Sequence, residues 1–436
     1  MAETLPKRIH GTEMEWAASY AVEERPTAGL IPLCNAYLTE AIEEYLADEA
    51  IAFSGNPIYA FLQNGARWYN DVGDHREYAT PEEDSFLRTA AHEQAGAIMS
   101  RAVLDRYEAQ QPGVKTFLHK RVIDDNDNTW GYHESYCVNA DKVSITQQSL
   151  ALLGIHMATR NIFFGAGSLD TDGHFWIAQK ARDVTEASHL NTTRDKPVIN
   201  LRDEPLSGPA YRRVHVISGD PNISPWATRV KLGATSLVLR LIEDGQDLSD
   251  INICMPLNEA MRCVAKNPKS LLRLANWRFG PASDIQGRLI TAATELSKRY
   301  PLPDEELWAL EEWRRAHQDF EQDMRLLANR ADWVLKYQLL EAKHEKNGVA
   351  WNSARMRSME KHYDLTSITQ PTVASKYKDV HWDAWAPSDE LVDSCMGNQL
   401  PPANTRAHIR GRFIKAFWQD ENYGVTTWDK VMHNGA

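Results

Sequence analysis

Polar and apolar side chains alternate with a period of two at four places in this chain, and that pattern constrains the fold more than any other feature. In Asn64–Thr80, Arg67, Tyr69 and Asp71 fall on one side of an extended strand, and Trp68 and Asn70 on the other. Gly73 then permits a turn, and His75, Glu77 and Thr80 follow within a few residues. The pairs Glu13/Glu15, Arg202/Glu204 and Arg213/His215 repeat the same two-residue spacing. One such segment reads equally well as an edge strand with a wet face. Four of them, if they share a sheet, make one sheet face a polar cradle and leave the other for helices to cover.

Composition limits what that cradle serves. The chain has 436 residues, enough for two or three domains, or for one large domain with a small appendage. Its 43% hydrophobic and 25% charged content is that of a soluble globular protein. No apolar run approaches the roughly 18 residues of a membrane span, and MAETLPKRIHG lacks the apolar centre of a signal peptide, so a cytoplasmic protein is expected. Five scattered cysteines without a CxxC pair argue against a disulfide framework and a structural zinc. A formal charge of −12 argues against nonspecific nucleic-acid binding.

Taken in order, Lys7–Trp16 reads as a strand whose Glu13 and Glu15 repel unless water or a cation such as magnesium lies between them. Helical spacing is expected over residues 30–50 and again over Pro81–Tyr107. Val114–Val122 and Trp130–Val138 read as paired strands joined by DDNDN, a loop without the glycine and distal glutamate of a calcium loop. An amphipathic helix is expected at Ser144–Ile155, and strands at Val198–Pro205 and Tyr211–Asp220. Helices follow at Ala227–Glu243, as a pair within Pro303–His344, and at Pro401–Phe417, where Arg406, Arg410 and Arg412 are expected to be exposed or to face a site. FFGAGSLD is neither a Walker loop nor a dinucleotide fingerprint.

Carboxylates hold divalent metals, and arginines hold phosphate oxygens in bidentate fashion. A site rich in both fits a magnesium–nucleotide complex on an open sheet rather than a phosphate loop. A metal-dependent hydrolase uses the same cradle, and a non-enzymatic nucleotide-binding module is a third reading.

GTEMEW, NGARWYNDVGDHREYAT, WGYHESY, TRNIFFGAG, TTRDKPVINLRDEP, YRRVHVISGDPN, KLGATSLVL, TRAHIRG and TTWDKV carry a resemblance across most of the chain. They resemble the Pup ligase and Pup deamidase/depupylase family, relatives of glutamine synthetase. The resemblance implies an α+β fold: a large glutamine-synthetase-like domain over 1–365, with a curved, mostly antiparallel sheet backed by helices. A small C-terminal domain over 366–436 would complete the nucleotide site. It also implies ATP and Mg2+ as cofactors. By motif, Glu13, Tyr69 and Glu77 resemble the family's magnesium ligands, and Arg67, Thr80 and Trp428 its ATP contacts. Asp71 takes the place of its catalytic aspartate. His133 and His215 fall in matching segments as further metal-side candidates, and Arg202 and Arg213 as nucleotide-side candidates.

DVGDHREYATPE is closer to the ligase wording, and the spacing from Glu13 to Asn64 leaves little room for the deamidase insertion. GTE, in contrast, matches the deamidases. The favoured expectation is a ligase that phosphorylates the C-terminal glutamate of Pup, or of another small protein, and joins it to a target lysine. The alternative is a depupylase or deamidase, or an amide ligase acting on a different peptide. Lys120-Arg121-Val122-Ile123-Asp124 replaces the family's KNNTD, and the chain ends eight residues after Trp428. Both departures bear on the identity of the carboxylate donor.

Overall fold

The computed structural model describes residues 4–22, 31–71, 73–204, 208–275, 277–366, 382–420, 423–428 and 430–433. Of these, the residues within Ile9–Arg121, Asp364–Thr372 and Ala386–Ala436 form one compact unit. Those within Met1–Arg8, Val122–Tyr363 and Val373–Trp385 form a second.

The first unit is built on an antiparallel sheet. Its strands run in the order Phe53–Ser54, Tyr59–Leu62, Arg67–Asn70, Arg76–Ala79 and His10–Val22. The last of these is long and changes partners along its length. Glu13–Trp16 pair with Arg76–Ala79, whereas Ala17–Val22 pair with Val114–His119, and Ser19 and Tyr20 meet Ile31–Pro32. Alternation sorts the side chains as expected. Met14, Trp16, Trp68 and Tyr78 are buried on one face, and the helix Phe86–Gln110 packs against that face. Ser85 caps that helix, its Oγ accepting from Arg88 N at 3.2 Å. Residues 30–50 yield a 3-10 turn at Asn35–Leu38 and a helix only over Thr39–Asp48.

Within the same unit the helix Arg406–Phe417 lies against the tight turn that precedes Arg67. Gly65 has φ +83°, and a Cβ there would come within 2.7 Å of the Ala407 carbonyl oxygen, so this contact requires glycine. Arg410 is 2% exposed and donates to Gly65 O from Nε at 3.0 Å and from Nη2 at 2.6 Å. Arg412 is exposed and Arg406 half-buried. Of the expected alternatives, exposure is corrected for Arg410: its guanidinium is buried and ties helix to turn.

The second unit is mainly helical. Pro225–Glu243 is nearly all buried, with Ser224 as its cap and Pro225 in the first turn. Leu232, Leu237, Leu239 and Leu241 are fully covered, each burial contributing about 1.5–3 kcal/mol. The expected helical pair is found as Asp304–Asp323 and Asp332–Asn347, joined by a 3-10 turn. A helix forms over Ala151–Thr159, later than the Ser144–Ile155 reading, because Ser144, Thr146 and Ser149 bond one another in a turn before it.

Two strand expectations are corrected. Val114–His119 and Tyr132–Asn139 do not form a hairpin: the former pairs with Ala17–Val22, and the latter with Tyr211–Val216. The DDNDN loop closes on itself instead, through an Ile123–Thr129 bridge and Asp124 Oδ1 accepting from the Asn126 and Asn128 amides. The strand read at Val198–Pro205 ends at Asn200 and pairs in parallel with Glu186–His189, so Arg202 and Glu204 follow it rather than line it. Pro205 lies outside the described residues.

Candidate active site

Cross-strand register determines what the polar face of the first unit's sheet presents. Glu15, Glu77 and Tyr69 lie in one row, and Glu13, Ala79 and Arg67 in the next. Every one of these side chains points away from the face that buries Trp68 and Tyr78. Asp71 follows the end of the strand Arg67–Asn70. Carboxylate oxygens of Glu15, Asp71 and Glu77 lie within 4.8 Å of one another. Three hard oxygen donors at that spacing fit a magnesium-type cation.

Electrostatics point the same way. Burial, followed by the charges of Glu13 and Glu15, pushes the Glu77 carboxyl well above its usual range, and the Tyr69 hydrogen bond opposes the shift. Crowded acids that hold a proton in the absence of a counter-charge are a natural receptor for a cation, which would take the proton's place. Tyr69 Oη donates to Glu77 Oε1, and burial raises its own pKa, so the phenol stays protonated. Its oxygen lone pairs remain available as a ligand.

Arg67 stacks on the Tyr69 ring at 4.1 Å and on Phe61 at 5.1 Å. Its Nε is buried with no hydrogen-bond partner among the described residues. A guanidinium held by rings rather than by an acid keeps its donors for an anion. Thr80 is buried, and its Oγ1 accepts from Thr12 N at 3.0 Å, leaving the hydroxyl proton free to serve a ligand. Trp428 is half-buried, edge-on to Phe61 at 5.4 Å and beneath Arg410 at 4.9 Å. Phe61 thus touches both Arg67 and Trp428. The sequence-predicted residues Glu13, Arg67, Tyr69, Asp71, Glu77, Thr80 and Trp428 all belong to this one unit.

The remaining candidates belong to the other unit. His133 and His215 stand on the paired strands Tyr132–Asn139 and Tyr211–Val216, with ring centroids 5.0 Å apart. Arg213 Nη2 lies 2.5 Å from His215 Nδ1. Because a guanidinium only donates, Nδ1 is the acceptor and a neutral His215 ring carries its proton on Nε2. Arg202 is exposed and ion-paired to Glu204 at 2.8 Å, a surface arrangement.

Glu15, whose two-residue spacing from Glu13 already suggested a magnesium site but which the family motifs did not single out, joins Asp71 and Glu77 in this cluster. A helix-backed antiparallel sheet with acids, a tyrosine and an arginine on its polar face is an α+β architecture. Comparison with known proteins narrows this class. The model of the family described as Pup-ligase protein matches residues 8–432. The Pup–protein ligase of Acidimicrobium ferrooxidans is 33% identical over 99% of this chain and 93% of its own length. That of a Nocardioides strain is 31% identical over 91% and 88%. Among solved structures, the ligase PafA in complex with the prokaryotic ubiquitin-like protein Pup has a TM-score of 0.80 at 24% identity, covering 98% of this chain and 86% of that one. PafA in complex with ADP gives 0.73 at 24% identity, over 86% of each chain. The chain belongs to the Pup-ligase family.

Proposed function

We propose that this protein is an ATP-dependent ligase that joins the side-chain carboxylate of a C-terminal glutamate on Pup to a lysine amine of a target protein. The observation that carries the reading is the Glu15–Asp71–Glu77 carboxylate cluster beside a ring-held Arg67 with an unspent donor. The named activity of the curated relatives supports it.

Two half-reactions follow from the chemistry. An oxygen of the glutamate side chain attacks the γ-phosphorus of ATP, ADP leaves, and an acyl phosphate forms. The lysine nitrogen then attacks the acyl carbon, loses its proton, and expels phosphate to leave an isopeptide bond. A carboxylate is a poor electrophile until one oxygen becomes a good leaving group, and an ammonium is no nucleophile until it is deprotonated. Asp71 is the group assigned to accept that proton. Arg67 and the Thr80 hydroxyl are assigned to phosphate oxygens, and Trp428 to the nucleotide. Glu13, Glu15, Tyr69 and Glu77 would hold Mg2+, which when bound neutralises phosphate charge. Residues 366–436 complete the nucleotide site in this reading, supported by the packing of Arg410 and Trp428 on Gly65 and Phe61. By their motif positions, His133 and His215 are assigned as further metal-side residues, and Arg202 and Arg213 as nucleotide-side residues.

Residence in the cytoplasm is part of the proposal. No helix among the described residues is long and apolar enough to cross a membrane, and the cysteines are free.

The test is incubation with ATP, Mg2+, Pup ending in glutamate and a lysine-bearing acceptor, read by intact mass. A conjugate lighter than its two parts by one water, formed with one ADP each, supports the ligase. Cleavage of such a conjugate without stoichiometric ATP use would replace it with the hydrolase reading. Asp71→Asn should form no conjugate.

A further inference from the structure

We propose that Asn35 and Asp74 are a positioning pair that fixes the carboxylate of Asp71 toward Glu15 and Glu77. The inference rests on the reading of Asp71 as the group that takes the lysine proton.

Asp71 lies just beyond the strand Arg67–Asn70, so sheet hydrogen bonding no longer dictates its direction. A tight turn does so instead. Asp71 N donates to His75 O at 2.9 Å, and Asp74 N donates to Asp71 O at 3.1 Å. Gly73 at φ +106° and Asp74 at φ +65° hold left-handed conformations. A non-glycine residue in that region costs on the order of 1 kcal/mol, so two local bonds are a weak guarantee of the geometry.

Ties from outside the turn supply what is missing. Asn35 is buried; its backbone N donates to Asp74 Oδ2 at 2.9 Å, and its Nδ2 donates to the Asp74 carbonyl oxygen. It therefore grips both the side chain and the backbone of one residue. Asn35 also opens the 3-10 turn Asn35–Leu38, whose Leu38 is buried, so the grip is anchored in the core. On the near side of Asp71, Arg76 Nη1 donates to Asn70 Oδ1 at 3.0 Å and to Ile58 O at 3.1 Å. Asp71 is thus held from both directions along the chain. Displacing a reacting group by about 1 Å can cost as much as a hundredfold in rate, so an anchored turn is a kinetic requirement for a base carried on a loop.

Four variants of the full chain test this: Asn35→Ala, Asp74→Gly, Asp74→Asn, and Asp71→Asn as reference. Asp74→Gly keeps the backbone conformation and removes the acceptor; Asp74→Asn keeps both. Each is assayed at saturating Mg2+ for conjugation of a lysine acceptor. Each is also assayed for hydroxamate formation with hydroxylamine, which is unprotonated at neutral pH and needs no base. Asn35→Ala and Asp74→Gly should lower kcat for lysine conjugation roughly tenfold or more. Hydroxamate formation and the KM for ATP should stay close to wild type at a temperature where each variant is folded, and Asp74→Asn should restore conjugation. Parallel loss of both products, or Asp74→Asn as defective as Asp74→Gly, would reduce the pair to a structural tie and overturn the proposal. Unchanged conjugation in Asp74→Gly alongside an inactive Asp71→Asn would overturn it too while sparing the role of Asp71. Normal conjugation by Asp71→Asn would remove that role and the proposal with it. Should Asn35→Ala fail to fold, the two Asp74 variants decide.

Discussion

Tyr69 Oη donates to Glu77 Oε1 at 2.5 Å across neighbouring antiparallel strands. The bond orients one carboxylate of the proposed metal cluster, and it lowers the proton affinity that burial and the neighbouring acids raise. Tyr69→Phe removes the hydroxyl and keeps the ring on which Arg67 stacks. The apparent Mg2+ affinity, read from conjugation rate against Mg2+ concentration, should therefore fall about ten- to a hundredfold. The KM for ATP at saturating Mg2+ should change little. An unchanged Mg2+ dependence would detach Tyr69 and Glu77 from metal binding.

Glu77 also sets a pH dependence. Without a cation, the folded protein keeps its proton to a higher pH than the unfolded chain does. Over the window from the ordinary glutamate range up to that raised value, the folded state binds more protons, so stability falls as pH rises. In EDTA the melting temperature should decline as pH rises through that window by more in the wild type than in Glu77→Gln. Mg2+, which binds the deprotonated cluster, should raise the melting temperature most at the upper end of that range. Identical profiles for the two proteins in EDTA would show that Glu77 carries no raised pKa.

The buried face of the same sheet gives a stability prediction. A Cβ at Gly96 would sit 2.6 Å from Cγ of the buried Tyr78 ring, on a helix that approaches the sheet closely. Neither partner has room to yield. Gly96→Ala should cost roughly 1–3 kcal/mol despite alanine's better helix propensity, measured by denaturant unfolding. Stabilisation instead would mean that the helix can move away from Tyr78.

Much of this was legible because a strand's period is rigid. Once Arg67, Tyr69 and Asp71 are assigned to one face, Trp68 must go to the core, and the burial of Trp68 follows that rule. The same logic fails where a strand stops early. Arg202 and Glu204 keep their spacing but sit beyond Asn200, and so pair on the surface. Strand partners were not legible either, since Val114–His119 and Tyr132–Asn139 look like a hairpin until each finds a distant strand. The grip of Asn35 on Asp74 had no sequence signal, because a contact across 39 positions leaves no local pattern. Arg410 was misread because basic residues on an amphipathic helix usually face water, and only tertiary structure shows that this one is consumed by backbone carbonyls.

That consumption makes Arg410 a sensitive point. It donates to Gly65 O twice, to Trp428 O at 2.6 Å and to Glu82 Oε2 at 2.8 Å, and it lies over the Trp428 ring. Arg410→Ala would leave the Gly65 carbonyl unsatisfied and open a cavity beside Phe61. A loss of about 2–4 kcal/mol is expected, on the scale of buried hydrogen bonds to a charged group. Lysine cannot reproduce the forked geometry, so Arg410→Lys should recover less than half of it. If Trp428 contacts the nucleotide as proposed, Arg410→Lys should also raise the KM for ATP severalfold at a temperature where the variant is fully folded, because the indole loses the guanidinium that fixes its backbone. Wild-type ATP affinity in such a folded variant would separate the Arg410 clamp from nucleotide binding and confine it to stability.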